Sequence, residues 1–98
     1  MNSIVNLILG GDILEVGKQI DRSNFQKYLI EHGWKSCKSN DDRIDIFRLN
    51  GTKGEVVISD NSFTDYSETI IVAAQRVAKI ENRHVNFVLI DLCKMSEK

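Results

Sequence analysis

The sequence predicts an α+β fold: an N-terminal β-hairpin, then an α-β-β-β-α two-layer sandwich with its helices on one face of an antiparallel sheet. A C-terminal extra helix or strand follows. Three observations carry this. Tyr66, Ile70, Ala73, Val77 and Ile80 step by four, three, four and three, which is an apolar seam on one face of a long helix. Three short runs rich in β-branched and aromatic residues precede it, joined by polar turns, as in an antiparallel meander. Ser23-Asn24-Phe25-Gln26 has capping-box form and Gly33 a helix-stop position, so a shorter helix leads into the meander. The 98 residues form one domain, with the hairpin in 1–20, the core in 23–83 and the last element in 84–94.

Taken in order, Ile4 to Leu9 and Ile13 to Gly17 are apolar runs around Gly10-Gly11-Asp12, the pattern of a hairpin. A helix here would carry Gly10, Gly11 and Gly17 at about 1 kcal/mol each relative to alanine. The helix from Asn24 to His32 places Phe25, Tyr28, Leu29 and His32 on one face. Trp34 to Lys38 is the first core strand, and Ser39-Asn40-Asp41-Asp42 supplies turn chemistry. Arg43 to Leu49 alternates, with Asp45, Phe47 and Leu49 on one face and Ile44, Ile46 and Arg48 on the other. Asn50-Gly51 opens a turn that closes at Gly54, and Glu55 to Ser59 is the third strand.

The long helix runs from Asp65 to Arg83. Asp65 and Glu68 are placed to cap its start, and Lys79 and Arg83 sit near its end, each matching the helix dipole. A second apolar stripe, Ile71, Ala74 and Ala78, lies beside the first, and Val72 lies on a further side. Such a helix is covered on more than one side: by the C-terminal segment, by another copy, or by a partner. In the last element Val85, Val88, Leu89 and Leu92 share a helical face, while Phe87 to Ile90 also suits a buried strand.

Composition narrows the function. Hydrophobic residues make up 42% and charged residues 28%, and the net charge of −1 gives the whole chain no electrostatic attraction to nucleic acid. Cys37 and Cys93 form neither a CxxC nor a zinc spacing, and a cytoplasmic location is expected. The run Ile4 to Leu9 is far short of the ~20 residues a membrane span needs. No Walker loop, GxSxG, HExxH or dinucleotide fingerprint occurs, so neither catalytic residues nor a cofactor is expected. Asp41, Asp42, Asp45 and Asp60 read as solvated turn carboxylates rather than metal ligands, and His32 and His84 as helix-boundary residues.

Element order, together with Phe25…Leu29…His32-Gly33-Trp34 and Glu55-Val56-Val57-Ile58, resembles the double-stranded-RNA-binding domain and the related HicA-type mRNA-cleaving toxin domain over about Ser23 to Arg83. The resemblance implies an α-β-β-β-α fold. Where the HicA-type family carries its catalytic histidine, this chain has Asp41-Asp42-Arg43-Ile44. Where the RNA-binding family carries a lysine cluster, the helix opens with Asp65-Tyr66-Ser67-Glu68.

The function expected is that of a non-enzymatic protein–protein interaction module, in an antitoxin, immunity or accessory-subunit role. It would bind a protein partner, itself, or both. The partner-binding residues would be Ile71, Ala74 and Ala78, rimmed by Arg76, Lys79 and Arg83, with the Ile4 to Leu9 edge as a second surface. The alternative is an RNA- or DNA-binding domain using Lys35, Lys38, Arg43 and Arg48, with Trp34 and Phe47 interleaved.

Overall fold

The computed structural model describes residues 13–52 and 54–95. Helices α1 (Ile13–Lys18) and α2 (Arg22–Glu31) lead into strands β1 (Trp34–Cys37), β2 (Ile44–Leu49) and β3 (Glu55–Ser59), followed by α3 (Tyr66–Glu81) and α4 (Val85–Met95). The strands form one antiparallel sheet in the order β1-β2-β3, with Trp34 opposite Leu49 and Ile46 opposite Val57. The α-β-β-β-α order and the meander are as the sequence predicts.

The sheet is covered on one face. Trp34, Phe47, Val56 and Ile58 point inward and are buried, while Lys35, Arg48 and Val57 on the other face are exposed. The inner residues form one core with Phe25, Tyr28 and Leu29 of α2, Ile70 and Val77 of α3, and Val88, Leu89 and Leu92 of α4. Asp45 points the same way as Phe47, and α2 accommodates its charge. It accepts from Arg22 Nε and from Gln26 Nε2, each at 2.7 Å. Gln26 is therefore not a capping residue: Asp21 holds the N-cap position, and α2 starts at Arg22 rather than Asn24.

The second arm of the expected hairpin is a helix instead. Ile13 and Val16 share one face of this helix and Ile20 follows just past its end, with Val16 and Ile20 fully buried and Ile13 packed against the core. Burying that face outweighs the helix cost of one glycine. Gly17 is a contact residue: a Cβ there would lie 2.7 Å from the Ser67 carbonyl oxygen and 3.1 Å from Ile71 Cγ1. Its bare backbone lets α1 lie directly on α3, and the Ser67 hydroxyl donates to the Leu14 carbonyl across that contact. The first arm, Ile4 to Leu9, lies outside the described residues. The C-terminal element is a helix, α4, which packs on α2 and α3 and buries Val88, Leu89, Leu92 and Cys93.

Helix α3 ends at Glu81. Asn82 adopts the left-handed conformation with φ +59°, Arg83 N–H donates to the Ala78 carbonyl at 2.8 Å, and Asn82 N–H donates to the Lys79 carbonyl. This is a Schellman-type stop with asparagine where glycine is usual. At the other end Asp65 occupies the N-cap, but its carboxylate makes no capping bond, contrary to the sequence expectation.

Candidate partner-binding surface

The structure removes the stripe the sequence offers for partner binding. Ile71, Ala74 and Ala78 are 5%, 0% and 4% exposed. Ile71 lies under Gly17 of α1, and α4 packs on the same helix. The chain itself thus covers a helix that is apolar on two sides. Of the expected rim, Arg76 and Lys79 are exposed, but Arg83 is engaged. Its guanidinium donates to Asp91 Oδ2 and to Tyr28 Oη, each at 2.8 Å. The Asp91 carboxylate keeps the Arg83 guanidinium firmly protonated.

Arg83 belongs to a polar cluster centred on Glu81, which sequence reasoning missed. The Glu81 carboxylate accepts from Tyr28 Oη at 2.8 Å and from Trp34 Nε1 at 2.9 Å, and its side chain is only 9% exposed. His32 stacks on Tyr28 with ring centroids 3.9 Å apart and places Nδ1 3.4 Å from Glu81 Oε2. Burial, and then the neighbouring Glu81 carboxylate, push the Tyr28 hydroxyl well above its ordinary range. The cluster ties α2, β1, the end of α3 and α4 together. Its available signal was that buried Tyr and Trp side chains need partners for their polar tips. His84 caps α4, its Nδ1 accepting from Asn86 N–H at 3.1 Å.

The alternative basic set does not form one free surface. Arg43 pairs with Asp41 at 3.0 Å and lies 4.9 Å from the Phe63 ring centroid, and Arg48 pairs with Glu55 at 2.6 Å. The Arg43 guanidinium in turn holds the Asp41 carboxyl below the usual carboxylate range. Lys35 and Lys38 are exposed, but Trp34 and Phe47 face the core. Asp60 accepts from the Ser62 hydroxyl and backbone N–H, which lowers its carboxyl, and lies 3.8 Å from Arg22. Among the described residues no group of three or more His, Cys, Asp or Glu side chains converges as a metal site. Cys37 and Cys93 are not joined in a disulfide, and no described helix is long and apolar enough to cross a membrane.

Two concavities stand out. One, of about 650 Å³, lies between the α1–α2 junction and the β3–α3 loop. Its central cation, Arg22, is already held by Asp45, by the Asp42 carbonyl at 2.8 Å and by Asp60. That cleft is a clasp between turns. The other, of about 570 Å³, is a groove between β3 and α3. Strand β3 is one of the two edge strands of the described sheet. Asp60 N–H donates to the Arg43 carbonyl at 2.9 Å, which fixes the alternation of the ladder. Val56 and Ile58 turn their backbone groups to β2, and Glu55, Val57 and Ser59 turn theirs to the edge.

The groove has polarity. A Cβ at Gly54 would touch Ile80, so the Glu55 end lies toward the C-terminal half of α3, and the two elements run antiparallel. Glu55 and Arg76 therefore mark one end, Val57, Thr69 and Val72 the middle, and Asp65 and Glu68 the other end. Val57 and Val72 are 43% and 58% exposed. Val72 lies off both buried stripes, as its sequence position indicates. No family model matches the chain, and no curated protein or solved structure matches it either.

Proposed function

We propose that this chain is a non-enzymatic protein-interaction module that works through the β3–α3 groove. The observation that carries the reading is the exposure of Val57 and Val72, which line the same groove. Two exposed aliphatic residues line one groove along β3, which pairs on one side only among the described residues. Apolar lining supplies hydrophobic gain on docking, and the outward backbone groups of an edge strand supply directional hydrogen bonds. The reading suits an antitoxin, immunity or accessory-subunit role, in which a small chain acts by occupying another protein's surface. Nucleic acid is the weaker reading, because Arg43 and Arg48 already hold carboxylates. The test is a photo-cross-linking amino acid in place of Val72, activated in intact cells and read by mass spectrometry. The expected result is a discrete protein adduct at that position, absent when the same residue replaces exposed Lys38. RNA or DNA adducts, or the same diffuse pattern from both positions, would refute the proposal.

A further inference from the structure

We infer that the occupant of the β3–α3 groove is a second copy of this chain, docked about a two-fold axis that passes by Val57 and Val72. The inference rests on the reading of the groove as a protein-binding surface. Three features of the groove support it.

The first is charge. Asp65 and Glu68 stand at one end and Arg76 at the other. None of the three has an ion pair among the described residues, whereas Glu55 is neutralised by Arg48. Rotation by 180° about the groove centre brings Arg76 of each copy to Asp65 and Glu68 of the other. A two-fold interface requires this self-complementarity, in which residue i meets j and j meets i.

The second is length. Asp65 to Arg76 spans about 16 Å of helix, and Glu55 to Ser59 about 13 Å of strand. The charged ends of the helix flank thus bracket the strand, and Val57 and Val72 fall near the middle of both. The third is ladder parity. Val57 turns its N–H and C=O outward. An antiparallel pairing centred on Val57 therefore exchanges two backbone hydrogen bonds between the Val57 residues of the two copies. A pairing centred on Val56 or Ile58 would use the same outward groups, Glu55 with Val57 or Val57 with Ser59 of the other copy, so it is the place of Val57 midway between the charged ends that selects the centre. Ser59 is buried, so the strand contact is short, and the helix flank supplies the rest of the surface.

The test uses purified full-length chain and measures mass by sedimentation equilibrium. Wild type should be a dimer. Arg76→Glu and Glu68→Arg place like charges at both ends of the interface, and each should weaken association at least about tenfold. An equimolar mixture of the two variants should recover the wild-type dissociation constant. In the mixed dimer the two substituted side chains face each other with opposite charge, and the native Arg76 of one copy faces the native Glu68 of the other. Val72→Ser, a neutral change at an exposed position, should also weaken association and guards against a charge variant that fails to fold. A wild-type monomer at ~1 mM overturns the inference. So does unchanged association of the variants, or a mixture no tighter than either alone. A monomeric chain that still yields a Val72 adduct with a different protein would sink the two-fold dimer and leave the interaction module standing.

Discussion

Glu81→Ala tests the physical account of the fold at its most connected polar group. Glu81 accepts from Tyr28 Oη at 2.8 Å and Trp34 Nε1 at 2.9 Å, in a place where its side chain is 9% exposed. A hydrogen bond to a charged acceptor contributes about 1.5–3 kcal/mol, and a buried donor left without a partner costs about 1–3 kcal/mol. The Trp34 N–H has no route to water, since Trp34 is buried. Tyr28 keeps its contact with Arg83, which softens the second loss. Removing a carboxylate from the C-terminal turn of a helix also returns about 0.3–1 kcal/mol. The expected net destabilisation is about 2–4 kcal/mol, a large share of the roughly 5–15 kcal/mol that stabilises a typical domain. At about 4–8 °C per kcal/mol for a domain near this size, the melting temperature should fall by roughly 10 °C or more. Glu81→Gln, which keeps one acceptor, should lose about half as much. Urea unfolding followed by circular dichroism gives the free energy, and Trp34, the sole tryptophan, reports the local change through its emission. A loss below about 1 kcal/mol with unchanged emission would refute the assignment of Glu81 as the anchor of the cluster.

Other expectations concern backbone packing and pH. Gly17→Ala gains about 1 kcal/mol of helix propensity but drives a methyl group into the Ser67 carbonyl, where overpacking costs about 1–3 kcal/mol. The melting temperature should drop, and a more stable variant would show that α1 does not lie this close to α3. Asn82→Gly should be neutral or slightly stabilising and Asn82→Ala should cost about 1 kcal/mol in chemical denaturation, because φ is +59° there; equal stability of the two variants would contradict the left-handed stop. Both tyrosines resist ionisation: burial pushes the Tyr66 hydroxyl up to about 12, and Tyr28 is raised as well. Folded-state values above the unfolded value of about 10 mean that this contribution to stability is complete below pH ~10 and is lost as pH rises toward 12. Ultraviolet titration should find no tyrosinate near pH ~10, with ionisation and loss of circular dichroism rising together above it; a tyrosine that titrates near ~10 in the folded chain would contradict its burial.

The parts of the fold legible in the sequence are those with strong period and clear punctuation. Phe47 and Leu49 share the inner face and Ile46 and Arg48 the outer one, Gly33 and Gly51 adopt positive φ at the ends they mark, and Ile70, Ala73 and Val77 bury the face their spacing defines. Helix α1 escapes a sequence reading because its glycine registers there only as a local penalty. Its value is tertiary, as the space that admits α3, and composition carries no trace of a neighbour 50 residues away, Ser67. The stripe of Ile71, Ala74 and Ala78 does need cover, as its pattern says, but a seam looks the same whether a chain covers it from within or a partner does so from without. Arg83 reads as rim for a similar reason: its bond to Tyr28 joins residues 55 apart. The groove is half visible, in Val72 standing off both stripes. Its other wall requires knowing that β3 is an edge strand of the described sheet and which way its backbone faces.

The Glu81 cluster also bears on the order of folding. The meander pairs strands that follow one another directly, so its hairpins close short loops. The bonds from Tyr28 and Trp34 to Glu81 join residues 53 and 47 apart and can form only after α3 has docked across the sheet. We expect them to be absent from the transition state, so that Glu81→Ala speeds unfolding and leaves the refolding rate near that of wild type. Slowed refolding with unaltered unfolding in stopped-flow kinetics would place the cluster in the nucleus instead. On this view the carboxylate acts as a latch: it adds little to how fast the chain finds its structure and sets how long the structure lasts.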